Sequence, residues 1–119
     1  MKPAYYDLNI IEGAGIDGNF TYLDSDSNPI NLTGYTARAQ FKVNRRSPEA
    51  YIDLTTENGG IVLGAALGTI KLVLSEEQYT DIQITGGVWQ LELYPGGSFP
   101  PIRLLQGNVF VDKEVITDD

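Results

Sequence analysis

Tyr35-Thr36-Ala37-Arg38-Ala39-Gln40-Phe41-Lys42-Val43 is the stretch whose reading decides the fold. Tyr35, Ala37, Ala39, Phe41 and Val43 share one parity, and Thr36, Arg38, Gln40 and Lys42 share the other. Successive side chains of a strand point to opposite faces, so this period of two marks a strand buried on one side. A helix would scatter the same apolar residues around its circumference.

The pattern repeats outward in both directions. In Val88–Tyr94, Trp89, Leu91 and Leu93 alternate with Gln90 and Glu92, which places Trp89 in the core and Tyr94 on the outward phase. Thr69–Leu74 alternates similarly, with Val73 the unexpected outward residue, and Tyr51–Leu54 and Ile61–Leu63 are shorter strands around an Asn58-Gly59-Gly60 turn. Tyr6–Ile11 and Gly18–Leu23 are extended candidates near the N-terminus. Ile102–Val111 is apolar but interrupted by Gly107, read as a bulge or bend where the strand changes its neighbour. Thr33-Gly34 supplies a turn into the first strand quoted. The expected exception is a short helical turn near residues 75–80, where Ser75 followed by Gln78 fits a capping box. About eight short strands separated by Gly, Pro, Asn and Asp indicate an all-β sandwich or barrel.

With 119 residues and 42% hydrophobic content, the chain fits a single domain over residues 1–119. An N-terminal arm of about residues 1–5 and a frayed acidic end at about 117–119 complete the expected layout. Cysteine and histidine are both absent. Burial alone must stabilise the fold, and the commonest general base and the usual zinc ligands are missing. The sequence also has no nucleophile elbow and no Gly-rich phosphate loop leading into a helix. We therefore expect no catalytic residues, no cofactor and no metal.

The formal net charge of −8 opposes nucleic acid and anionic membranes as partners. No apolar run approaches the ~20 residues that span a bilayer, and the N-terminus lacks a secretory signal's apolar stretch. Arg38, Lys42, Arg45 and Arg46 gather half the basic residues, and we read them as a solvated strand and loop rather than a phosphate site. Asp24-Ser25-Asp26-Ser27-Asn28 opens like a calcium loop. Pro29 stands where that loop needs glycine and Tyr35 where it needs glutamate, so an Asx-rich hairpin turn is the better reading. The sequons at Asn19 and Asn31 are read as chance.

Asp26–Phe41, running Asp-Ser-Asn-Pro-Ile-Asn-Leu-Thr-Gly-Tyr-Thr-Ala-Arg-Ala-Gln-Phe, resembles a signature of small tailed-bacteriophage virion modules. In those proteins an Asp-x-x-Gly-x-Pro turn precedes Asp-Leu-Thr-Gly-Tyr and an alternating strand. Asn28 stands here for the turn glycine and Asn31 for the aspartate. Gly87–Leu93, Leu104–Val111 and Glu114–Thr117 are similar to the family's later segments, in the same order. The resemblance implies an immunoglobulin-like antiparallel β-sandwich of the kind found in baseplates, tails and fibre attachments, including the N-terminal part of baseplate upper proteins. It further implies a structural role in the virion, assembled in the bacterial cytoplasm and docked in several copies among other virion proteins. Aromatics and proline with little sign of packing of their own make Met1–Leu8 and the Pro95–Pro101 loop the expected contact segments. Tyr5, Tyr6, Tyr94 and Phe99 are the candidate interface residues. The alternative is a carbohydrate- or host-receptor-binding module using Tyr94, Phe99 and neighbouring carboxylates.

Overall fold

The structure, a computed structural model, describes residues 4–11, 15–16, 18–74, 86–97 and 99–112. It is the expected all-β sandwich. The larger sheet holds β1 (Ala4–Tyr5), β2 (Leu8–Ile11), β3 (Gly15–Ile16), β5 (Thr36–Lys42), β6 (Ile52–Thr55), β9 (Gly86–Tyr94) and β10 (Ile102–Asp112). Its order is β3-β2-β10-β9-β5-β6, with β1 also paired to β10. The smaller sheet is β4 (Asn19–Thr21), β8 (Thr69–Leu72) and β7 (Ile61–Leu63), in that order of pairing. This is the immunoglobulin plan, with β4, β8 and β7 in the places of strands B, E and D, and β5, β9 and β10 in those of C, F and G. Pairing is antiparallel except where β1 and β2 lie parallel to β10. The helical turn expected near residues 75–80 lies outside the described residues. A 3₁₀ turn at Ala65–Leu67, which no sequence signal announced, joins β7 to β8.

The alternating strands pair their inward side chains, small against large at the two alanines of β5 and large against large at Phe41. Ala37 faces Leu93, Ala39 lies between Leu91 and Leu54, and Phe41 lies between Trp89 and Ile52. All of these are buried, and Leu8, Ile10, Ile61, Ile70, Leu72 and Val109 close the core from the other strands. The small alanines let leucines from neighbouring strands fill the space above them, which is how β-sandwich layers reach close packing.

Turn chemistry follows the sequence closely. Tyr35 N–H donates to the Leu32 carbonyl (3.0 Å) across Thr33-Gly34, with Gly34 at φ 84° as a type II turn requires. Asn31 Oδ1 accepts from both the Thr33 N–H (3.0 Å) and Thr33 Oγ1 (2.6 Å). Asp24 Oδ1 accepts the N–H groups of Asp26 (2.9 Å) and Asn28 (3.0 Å), forming the expected Asx turn. Asn58 Oδ1 accepts from Thr55 N–H and Gly60 N–H and carries the chain from one sheet to the other.

Two expectations need correction. Val43 shares the buried parity but is 53% exposed, because β5 ends at Lys42 and an Asn44–Ser47 turn lifts the chain off the sheet. In β10 the register shifts between Arg103 and Leu105, so the bulge falls at Leu104 and not at Gly107. Gly107 instead marks the change of neighbour: β1 pairs with Leu105 and Gln106, and β2 pairs from Val109 onward.

The chain between those two short strands is held by Trp89. Its Nε1–H donates to the Tyr6 carbonyl at 2.7 Å, while Tyr6 N–H donates to the Gln106 carbonyl at 2.9 Å. Asp7 Oδ1 accepts the Asn108 N–H at 3.0 Å. A Cβ on Gly107 would lie 2.2 Å from the Tyr6 carbonyl oxygen, closer than any real contact allows. Gly107→Ala should cost about 2 kcal/mol through this overpacking. Trp89→Phe, which loses the N–H donor and part of the ring volume, should cost about 2–3 kcal/mol. Urea denaturation of both single variants and the double variant should give less than the sum of the two costs, because both loosen the same segment.

Candidate functional site

The face of the larger sheet turned away from the core carries the densest functional chemistry. Its composition follows from the outward parity of each strand, and its arrangement from the register. Gln40 pairs with Gln90 and Gln90 with Gln106, so three amides form a row across β5, β9 and β10 at a strand spacing of about 4.8 Å. Tyr5 pairs with Gln106, which places it at the edge of that row. In the next row Arg38 pairs with Glu92, and Glu92 with Arg103. Beyond it lie Thr36 and Tyr94.

Two shallow depressions share Gln40 and Gln90 on this face. One continues to Lys42, Arg45 and Gln106, and the other to Arg38, Glu92 and Tyr94. From Val88 to Tyr94 they follow β9 for about 20 Å. Arg38 is held by a bidentate pair with Asp53, Nε to Oδ1 at 3.0 Å and Nη2 to Oδ2 at 2.6 Å. The guanidinium, with help from a Gln40 hydrogen bond, lowers the Asp53 pKa, and the same pair raises that of Arg38. Both side chains are substantially exposed, so the pair contributes at most about 1 kcal/mol. Arg103 Nε lies 3.8 Å from Glu92 Oε1. The Tyr94 hydroxyl donates to Glu92 Oε2 at 3.2 Å, and burial followed by that carboxylate raises its pKa.

The four candidate interface residues divide among three places. Tyr5, 74% exposed, and the half-buried Tyr94 belong to the outer face. Tyr6 turns the other way: its ring meets Phe20 edge-on at a 4.9 Å centroid distance, and Phe20 stacks toward Trp89. The expectation that Met1–Leu8 has little packing of its own therefore does not hold at Tyr6. Phe99 sits at one end of the sandwich, 72% exposed, beside an apolar depression shared with Tyr35, Pro95, Pro100 and Ile102. Positive φ at Gly96 and Gly97 turns the chain there. Tyr94 and Phe99 thus line different depressions.

Sequence reasoning missed Gln106 and Gln90 as site residues. Their outward parity was visible, but the β10 bulge decides which residue of that strand stands beside Gln90. The basic stretch from Arg38 to Arg46 was read as solvated surface. The structure collects Arg38, Lys42 and Arg45 at the outer-face depressions and adds Arg103 from the far end of the chain. No protein-family model and no curated protein matches this chain.

One polar group sits apart from this face. The Tyr51 hydroxyl is buried with no hydrogen-bond partner among the described residues, and burial pushes its pKa up to about 12. An unfolded tyrosine ionises near 10, so the unfolded state loses its proton first as pH rises. The stability tied to the neutral phenol is complete below pH 10 and is lost as pH approaches 12. Tyr51→Phe removes this loss and an unpaired buried hydroxyl. Urea unfolding should show the variant matching or exceeding the parent by up to ~1 kcal/mol at pH 7, with a widening advantage as pH is raised to about 11.

Proposed function

We propose that this chain is a structural module of a tailed-bacteriophage virion that docks to other virion proteins in the tail, baseplate or fibre-attachment region. The module acts without catalysis, is present in several copies, and is assembled in the bacterial cytoplasm. The resemblance carried by Asp26–Phe41 and the later matching segments supports the virion assignment. The observation that carries the docking role is Phe99: a large apolar side chain 72% exposed, next to a depression lined by Tyr35, Pro95, Pro100 and Ile102. Such an anchor at one end of a rigid sandwich suits insertion into a partner's pocket, and the adjoining prolines limit the ordering cost of its loop.

A second reading, a carbohydrate- or receptor-binding module, is favoured by a different observation. The outer-face row of amides lies between Tyr5 and Tyr94, an arrangement suited to hydrogen bonding and ring contact with a polyhydroxyl ligand.

Quantitative mass spectrometry of purified particles should find the chain at a constant multiple-copy ratio to other virion proteins. Phe99→Asp should leave the isolated domain folded by circular dichroism but reduce its incorporation at least about tenfold, as loss of a hot-spot anchor worth about 2 kcal/mol would. A chain that remains in the particle-free lysate would refute the virion assignment. Unchanged incorporation of the Phe99 variant would refute this docking residue.

A further inference from the structure

Gln106 has no evident structural reason to be polar. As a residue it is only 8% exposed, yet its side-chain polar atoms are not sealed off without a partner: they open on the depression that it lines. An amide at such an opening is hydrated in the free protein and can exchange that water for a ligand's hydroxyl. Here the amide lines a depression with Gln40 and Gln90, and Lys42 and Arg45 lie at the same depression. Asp53 and Glu92 are engaged by Arg38 and Arg103. Lys42 and Arg45 have no ion-pair partner among the described residues. The turn that places Arg45 is itself fixed, with Asn44 Oδ1 accepting the Arg46 N–H at 2.9 Å and Ser47 N–H donating to the Asn44 carbonyl at 3.1 Å.

We propose that this depression binds an acidic oligosaccharide, with a sugar carboxylate at Lys42 and Arg45 and sugar hydroxyls on Gln90 and Gln106. The inference rests on the second reading above and adds the ligand's charge and its place. Two cations with no ion-pair partner among the described residues, beside amides that open on the same depression, suit a carboxylate with neighbouring hydroxyls, since an amide both donates to and accepts from a hydroxyl. Along the same groove, Glu92 offers acceptors to hydroxyls, and Tyr94 and Tyr5 offer rings at its end and edge. An acidic peptide fits less well. Extended peptides pair with sheet edges rather than lie across a sheet face.

The test is isothermal titration of the full chain with oligogalacturonate, a neutral oligosaccharide of equal length, and an oligoglutamate peptide. Oligogalacturonate should bind with saturable stoichiometry, and Lys42→Gln/Arg45→Gln and Gln106→Leu should each weaken it about tenfold or more. Urea midpoints of these variants establish that they remain folded, and Gln90→Leu gives a second amide readout should Gln106→Leu misfold. Equal binding of the neutral sugar would overturn the acidic assignment while leaving the saccharide reading standing. Preferential binding of oligoglutamate with the same residue dependence would overturn it in favour of a peptide site. No binding by any of the three would overturn both the inference and the reading beneath it.

Discussion

The indole N–H of Trp89 donating to the carbonyl of Tyr6 is the interaction on which the arrangement of the larger sheet turns. It ties the first described strand to the middle of the core, and it operates where β10 exchanges one parallel neighbour for another. The carbonyl can sit there because Gly107 has no side chain to exclude it. Without cysteine, the chain has no covalent link between its sheets. A part-buried donor–acceptor pair between residues 83 positions apart instead joins distant segments within the larger sheet, through a group whose desolvation is met.

The same arrangement shapes the outer face. Fixing Tyr6 fixes Tyr5 one residue earlier, and the parallel register sets Tyr5 beside Gln106. Gln106 is covered in part because β1 lies along it, which turns an ordinary outward glutamine into a buried one. The inner and outer surfaces of this sheet are therefore not independent: a packing contact beneath it positions an amide and an aromatic ring above it. The end of the sandwich with Phe99 depends on other contacts, chiefly the glycine turn and the prolines that follow β9. The docking proposed at Phe99 and the ligand binding proposed at the amide row therefore rest on different contacts.

Parity and turn chemistry were legible in the sequence; register was not. Ala37, Ala39, Phe41, Trp89, Leu91 and Leu93 are buried where a period of two puts them, and Gly34, Asn58 and Asp24 make the turns that their side chains and φ preferences dictate. These are local properties, set within a few residues. Val43 kept the correct parity and is exposed because its strand had already ended, a boundary set by the Asn44–Ser47 turn. The bulge at Leu104 could not be read from an apolar run, and a one-residue slip there changes which β10 side chain faces outward. The amide row, formed by residues 40, 90 and 106, depends on that bulge and on two long-range pairings. Tyr6 shows the same limit, since its inward turn follows from Gly107 and Trp89, far away in sequence.

Charge explains why the outer face is chemically distinct from the rest of the molecule. Arg38, Lys42, Arg45 and Arg103 are four of the chain's eight basic residues, and they line or border the depressions, where the acids paired with them among the described residues are Asp53 and Glu92. A net charge of −8 repels an anion at long range, whereas the local cations attract it within a few ångströms. The two fields respond differently to salt. At a physiological Debye length of about 8 Å, charges farther away than that are largely screened while a contact ion pair in a depression is screened much less. An anionic ligand on this face would therefore gain little from electrostatic steering, and its association would speed up with moderate salt as the overall repulsion fades. That behaviour is opposite to what a uniformly basic surface gives, and it belongs to a site that selects by contact geometry rather than by attraction at a distance.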